Sequence, residues 1–210
     1  MKRLLLFTAI IFAALQTFSQ TDPLRQKLDS IFQYVDKTQI PTGYLKEYGA
    51  ELMPIHWFNG VLTDSNAIAD IDCWRATYTD ISTAKIQPQL TTMTGLTTIN
   101  TTIEGLRNAQ VAPIAVLYGN YASLRDDALL LNLFSINNQQ IIDAANRNQS
   151  PYLTKILFAA ASINKQFTNT VTFTFAPALY FTNTTLSLSQ LAVDFKDGQG
   201  YILIPFSEGE

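Results

Sequence analysis

The side chains that could do chemistry are few, because this chain of 210 residues holds one His and one Cys. A Ser-His-acid hydrolase would have to use His56, since no other side chain type here exchanges protons near neutral pH at its ordinary pKa. The surrounding residues 53–60 are largely apolar, and the sequence has no Gly-x-Ser-x-Gly nucleophile motif. We therefore interpret His56 as a structural histidine, hydrogen-bonded under aromatic cover, and predict no catalytic residue.

The acidic residues do not form an evident glycosidase pair, which needs two carboxylates about 5 to 10 Å apart. Asp126 and Asp127 are adjacent, so they would point to opposite faces of an extended segment. Asp70 and Asp72 would lie about 200° apart around a helix. We interpret these acids as helix caps or solvated groups, while pairs distant in sequence stay open.

Few residues of this sequence could bind a metal ion or a cofactor. Zinc sites take three or four His, Cys or carboxylate ligands, and a single His56 with a single Cys73 supplies too few. Asp194 and Asp197 could bind calcium only with oxygens from other loops. No Gly-rich phosphate-binding motif occurs, so we predict no metal site and no cofactor. One Cys also excludes a disulfide framework within the chain, and we expect Cys73 to be a small buried apolar residue.

Binding through aromatic side chains is the function that the residue types leave open. Exposed rings stack on sugars while neighbouring amides bind hydroxyls, which would suit residues 56–59 and the tyrosines near residue 120. The alternative is that these rings only fill the core. The candidate binding residues are His56, Trp57, Phe58, Asn59, Tyr118 and Tyr121, with Asn120 as a further hydrogen-bonding group.

Charge and the N-terminal residues indicate where the protein works. The net charge of −3 gives no positive field for a nucleic acid, so we predict no nucleic-acid partner. Basic residues 2–3, an apolar run over residues 4–15 and small residues before position 20 are typical of a secretory signal peptide, assigned to residues 1–19. No Cys follows that run, and no second run is long enough to cross a membrane. We expect a secreted or outer-surface protein, with no membrane span after signal cleavage.

Residues 20–110 have mainly helical patterns. Asp22 and Pro23 are typical of a helix start, and Leu24, Leu28 and Ile31 continue on one face. A short helical piece is predicted over residues 44–48, after a turn at 41–43, and a longer helix over residues 65–84. In residues 77–102, frequent Thr opposes a helix while apolar spacing favours one, so that segment stays unresolved.

Residues 111–210 have strand patterns. Residues 113–118 and 156–160 are predicted as buried strands, and the alternation over residues 170–175 as a half-solvated antiparallel strand. Asp197-Gly198 lies between two apolar segments and predicts a hairpin whose return strand covers residues 201–206. The fold class is therefore α+β, with an N-terminal helical layer followed by an antiparallel, β-sandwich-like strand region. Few strands remain for a second sheet, so we expect a longer chain or a pairing partner.

Two short segments carry a resemblance to known families. Residues 193–201 read VDFKDGQGY, which resembles the D-F-G-D-G hairpin of PKD-type Ig-like domains, with Lys196 in place of Gly. Residues 40–45, 113–116 and 150–152 read IPTGYL, PIAV and SPY, and they resemble N-terminal regions of uncharacterised bacterial proteins exported by the type IX system. The resemblance implies a surface protein whose catalytic or adhesive domain and C-terminal sorting domain lie further along.

These observations predict a non-catalytic structural or interaction region of a secreted or cell-surface bacterial protein, with a protein or a glycan as partner. The alternative is a carbohydrate-binding or carbohydrate-active protein with an aromatic platform and catalytic acids far apart in sequence. Facing carboxylates in a deep cleft would favour the enzyme, and a filled surface would favour the scaffold.

Overall fold

A computed structural model describes residues 23–49, 51–61, 70–86, 93–107, 111–164, 172–185, 187–194 and 198–205. Helices precede strands, so the α+β class is confirmed. The helices are α1 (Pro23–Ile31), α2 (Ile71–Thr83) and α3 (Leu96–Leu106), with 3₁₀ turns at Lys37–Gln39 and Lys46–Tyr48. The strands are β1 (Val111–Leu124), β2 (Phe134–Asn137), β3 (Gln140–Asp143), β4 (Tyr152–Ser162), β5 (Thr172–Thr182), β6 (Gln190–Asp194) and β7 (Tyr201–Pro205). The predicted signal peptide lies outside the described residues.

The main sheet has three strands in the order β4-β1-β5, with the long strand β1 at its centre. β1 pairs antiparallel with β4, from Ile114 opposite Ser162 to Leu124 opposite Tyr152. Two hairpins, β2–β3 and β6–β7, form separate two-stranded sheets. β6 and β7 pair across the predicted Asp-Gly turn, although residues 195–197 of that turn lie outside the described residues.

The antiparallel expectation for residues 170–175 is wrong, because β5 runs parallel to β1. The alternating Thr and Phe residues predict which side chains share a face, and they contain no information on the direction of the neighbouring strand. β4 runs antiparallel to β1, and the next strand, β5, runs opposite to β4. β5 therefore has the same direction as β1, with which it pairs on the side away from β4. The core contacts of β5 also come from later residues, Leu179 and Phe181, while Phe173 remains 40% exposed.

One face of the main sheet is covered by the helical layer. Trp74 and Tyr78 of α2 stack with ring centroids 5.5 Å apart, and both contact Phe181 of β5. Ile99 and Ile103 of α3 join the same cluster against alternate residues of β1 and β4. The three-to-four-residue spacing of apolar residues predicted this helical face, and burial of that face holds the helices on the sheet.

The other face of the main sheet is covered by the β6–β7 hairpin. Leu191 of β6 packs against Val116 of β1, with Phe158, Phe175 and Val193 at the margin of the cluster. The region is therefore rich in strands and has sheet on sheet, although the main sheet has only three strands.

A second core lies beyond the end of the main sheet. Phe32 follows α1 and contacts Tyr48, while Phe134 of β2 contacts Tyr152 of β4. Asn138 and Gln139 connect β2 to β3 with φ of 48° and 63°, which is the left-handed geometry of a two-residue hairpin turn.

Within the Thr-rich segment, residues 77–83 and 96–102 are helical, so apolar spacing there outweighs the low helix propensity of Thr, while residues 84–86 and 93–95 are not helical. Five Thr hydroxyls donate to the backbone carbonyl four residues earlier, for example Thr77 to Cys73 and Thr101 to Thr97. α2 begins at Ile71, later than predicted, with Asp70 accepting hydrogen bonds from the N–H groups of Asp72 and Cys73. Among the described residues, no helix combines the length and apolar character needed to cross a membrane.

Candidate functional site

The segment over residues 53–61 passes around the outer edge of β4 and carries most of the predicted binding residues. Ile55 is buried in the main core, on the helical face of the sheet. Three residues later, the N–H of Phe58 donates to the carbonyl of Ile156 in β4 at 2.8 Å. The segment therefore crosses from one face of the sheet to the other and is fixed at both sides.

The rings of Phe58, Phe158 and Tyr118 come together on the hairpin face of the sheet. Phe58 contacts Phe158 with ring centroids 5.2 Å apart. Tyr118 of β1 is directly opposite Phe158 of β4 in the antiparallel register, so both side chains lie on one face. All three residues are half-buried, which leaves part of this aromatic cluster open to solvent.

Trp57 lies next to this cluster and is 56% exposed. His56 and Asn59 are also exposed, and the Asn59 side-chain carbonyl accepts the N–H of Val61 at 3.0 Å, which fixes the turn after Phe58. The expectation of a covered structural histidine at position 56 is wrong, because the chain turns outward at the sheet edge. We name the edge surface as His56, Trp57, Phe58, Asn59, Tyr118 and Phe158.

Tyr121 does not belong to the edge surface, because it is only 2% exposed and packs in the main core. Side chains three residues apart on a strand point to opposite faces, so Tyr118 and Tyr121 of β1 are separated. Burial, together with the nearby carboxylates of Glu47 and Glu51, raises the pKa of Tyr121 to about 12. For this residue, the core-packing interpretation holds.

Asp70 and Asp127, two of the acids considered for catalysis, accept structural hydrogen bonds, as does Asp80. Asp70 caps α2, and Asp127 accepts two hydrogen bonds from the Arg125 guanidinium at 2.8 and 2.9 Å. Asp80 is buried in α2 and accepts the N–H groups of Leu52 and Met53 at 2.8 and 3.0 Å, which anchors the start of the edge segment. Burial raises the pKa of Asp80.

The sequence did not reveal a polar cavity that lies away from the edge surface residues, beside the second core. It lies between the 3₁₀ turn at Lys37–Gln39 and the connection from β3 to β4, and Asp36, Asp143 and Arg147 line it. Asp36 is 107 positions from Asp143 in sequence, and the three residues carry no motif, so only the folded chain brings Asp36 to the other two.

Among the described residues, no group of three or more His, Cys, Asp and Glu side chains is arranged to hold a metal ion. Comparison with protein-family models, curated proteins and solved structures finds no match for this chain. Functional inference therefore depends on the edge surface and the cavity.

Proposed function

We propose that this chain is a non-catalytic interaction region of an exported bacterial surface protein, and that it binds its partner through the edge surface. The observation that carries the proposal is the exposure of Trp57 beside a fixed aromatic cluster. Large aromatic side chains held on rigid supports are the residues that most often dominate binding energy at protein interfaces.

Three contacts within the protein hold the segment that carries the edge surface in place. The Phe58 N–H is bound to β4, Ile55 is buried, and Asp80 binds the backbone at residues 52 and 53. A partner would therefore meet a preformed surface, and little conformational entropy would be lost on binding.

The use of the acids supports a non-catalytic role. The carboxylates of Asp70, Asp80 and Asp127 each accept hydrogen bonds from fixed donors. A general acid or base must instead be free to exchange a proton with a bound substrate. Export is proposed from the N-terminal residues alone, which have the pattern of a signal peptide.

A glycan is the second candidate partner for the edge surface. Trp57 presents a ring on which a sugar could stack, and the exposed Asn59 amide lies two residues away. We favour a protein partner because the half-buried residues beside Trp57 are three aromatic rings, and Val61 adds a further apolar side chain that is 60% exposed.

The test is co-sedimentation of the purified protein with cell-envelope fragments of the source bacterium. We expect Trp57→Ala to weaken binding by about tenfold or more, as for a central interface Trp. Leu130→Ala is the matched control, because Leu130 is 83% exposed on the connection between β1 and β2. Unchanged binding of Trp57→Ala, or equal weakening by Leu130→Ala, would contradict the proposal.

Treatment of the fragments separates the two partner classes. Protease digestion of the fragments should abolish binding if the partner is a protein. Periodate oxidation should abolish it if the partner is a glycan, and loss of binding after periodate alone would replace our first candidate with the second.

A further inference from the structure

The cavity beside the second core has a volume of about 450 Å³. This volume is within the range of about 300–1,000 Å³ that is typical of small-molecule sites. Its walls are the 3₁₀ turn at Lys37–Gln39 and the loop that joins β3 to β4. The lining residues are Asp36, Gln39, Asp143, Ala144, Ala145, Arg147, Asn148, Gln149 and Ser150.

A buried ion pair forms the fixed part of the lining. The side chains of Arg147 and Asp143 are 9% and 8% exposed, and the guanidinium donates to the Asp143 carboxylate. Arg147 also donates to the side-chain carbonyl of Gln39, and its guanidinium lies over the Tyr152 ring, 5.7 Å from the centroid. The guanidinium is thus held in one orientation without a ligand.

The two carboxylates of the cavity are already satisfied by protein donors. Asp143 accepts the N–H of Asp36 at 3.2 Å and the Tyr152 hydroxyl at 3.1 Å, in addition to Arg147. Asp36 accepts the N–H and the hydroxyl of Thr38, and these hydrogen bonds hold the pKa of Asp36 below its usual range. Arg147 balances the charge of Asp143, and Asp36 leaves the lining with one net negative charge, which disfavours an anionic ligand.

The groups that remain to bind a ligand are neutral side chains and the N–H groups of Arg147 that its contacts within the protein do not use. Asn148 and Gln149 contribute two amides that each donate and accept, while the Ser150 hydroxyl already donates to the Tyr152 carbonyl at 3.3 Å and accepts the Tyr152 N–H at 3.1 Å. The guanidinium has five N–H donors, of which the contacts to Asp143 and Gln39 use two. Apolar lining side chains are limited to Ala144 and Ala145. Interleaved donors and acceptors with little apolar surface suit a molecule covered with hydroxyl groups, each of which also donates and accepts.

We propose that this cavity is a binding site for a small neutral saccharide, held by Arg147, Asn148 and Gln149. The site is distinct from the edge surface and does not depend on what that surface binds. A free sugar and the terminal sugar of a glycan present the same hydroxyl groups, so the same cavity could receive either.

The test is titration of ¹⁵N-labelled full-length protein with methyl glycosides of glucose, galactose, mannose and N-acetylglucosamine, followed by amide chemical shifts. At least one probe should shift the amides of residues 143–150 in a saturable manner. Asn148→Ala and Gln149→Ala should each weaken the binding of that probe by about tenfold, which is the loss of affinity expected when a polar contact is removed. Both residues are exposed, so these variants should fold. Asn137→Ala, an exposed Asn→Ala change on β2, is the matched control and should bind normally.

Three further probes define the ligand class and its source. Inorganic phosphate and butylamine should leave the same amides unshifted, and saturable binding of either charged probe alone would overturn the saccharide assignment. No saturable shift with any methyl glycoside up to 50 mM, on the scale of weak binding near −2 kcal/mol, would also overturn it. Tighter binding of a disaccharide such as cellobiose than of methyl glucoside would identify a glycan end as the source, and equal binding would identify a free sugar.

Discussion

At the scale of single residues, Glu47 has a carboxylate that is only partly compensated by hydrogen bonds. One side-chain oxygen accepts the N–H of Leu124 at 3.3 Å, and the other is buried with no hydrogen-bond partner among the described residues. Burial raises the pKa of Glu47, although the Leu124 N–H and the charges of Lys46 and Lys155 lower it in part. Ionisation of this group therefore opposes folding.

The free energy of unfolding should depend on pH through Glu47. A carboxyl group with a raised pKa in the folded state contributes stability below its unfolded pKa of about 4.3, and this contribution is lost as pH rises through the folded pKa. Urea unfolding from pH 4 to pH 7 should therefore show wild-type stability falling relative to Glu47→Gln. Glu104→Gln, whose parent side chain is 56% exposed, is the control. Parallel stability profiles for wild type and Glu47→Gln would contradict this account.

At the scale of elements, β1 and β5 are joined by a side chain where their backbone pairing ends. The Asn183 amide follows β5, accepts the N–H of Asn120 at 2.9 Å and donates to the Asn120 carbonyl at 2.6 Å. Gly119 leaves room for this amide, because a Cβ at position 119 would lie 2.6 Å from the Asn183 side-chain oxygen. The side chain thus acts as one more residue of the parallel pair.

Gly119→Ala should expel the Asn183 amide and destabilise the sheet by about 2 kcal/mol, from steric overlap and two lost hydrogen bonds. The matched control is Gly105→Ala in α3, where an added Cβ meets no atom within 4 Å. That variant should gain up to about 1 kcal/mol, because Ala favours helix over Gly. Thermal or urea unfolding of both variants measures the contrast, and a Gly119→Ala protein as stable as wild type would contradict it.

Elements were predictable where a local pattern determines them. Apolar patterns predicted α2 and the strand character of β1 and β4, because burial of one helix face leaves a period in the sequence and burial of both strand faces leaves a continuous apolar run. The parallel direction of β5 and the turn at Asn138 and Gln139 were not predicted. Strand direction depends on which strand is adjacent in space, and Gln-containing turns lack the Gly that normally indicates a type I′ hairpin.

At the scale of the whole molecule, the edge surface and the polar cavity lie on different parts of the fold. The edge surface belongs to the three layers formed by the helices, the main sheet and the β6–β7 hairpin, and the cavity belongs to the second core. The chain bend at Ile55 and Phe58 brings an exposed Trp57 to the outer edge of β4. The polar cavity forms beside the other core, between the 3₁₀ turn at Lys37–Gln39 and the connection from β3 to β4. The candidate residues at 56–59 were predictable because they are adjacent in sequence. The cavity was not, because Asp36 and Arg147 meet only through tertiary packing.

Hydroxyl-radical footprinting tests most directly whether the edge surface binds the partner. The two Trp residues provide an internal comparison, because Trp57 is 56% exposed and Trp74 is 0% exposed. In the free protein, Trp57 should be oxidised much faster than Trp74, as measured by mass spectrometry of the peptides. When the protein is bound to envelope fragments, oxidation of Trp57 should slow markedly while that of Trp74 and Leu130 stays as before. Oxidation of Trp57 at an undiminished rate in the bound protein would show that the edge surface is not the binding surface.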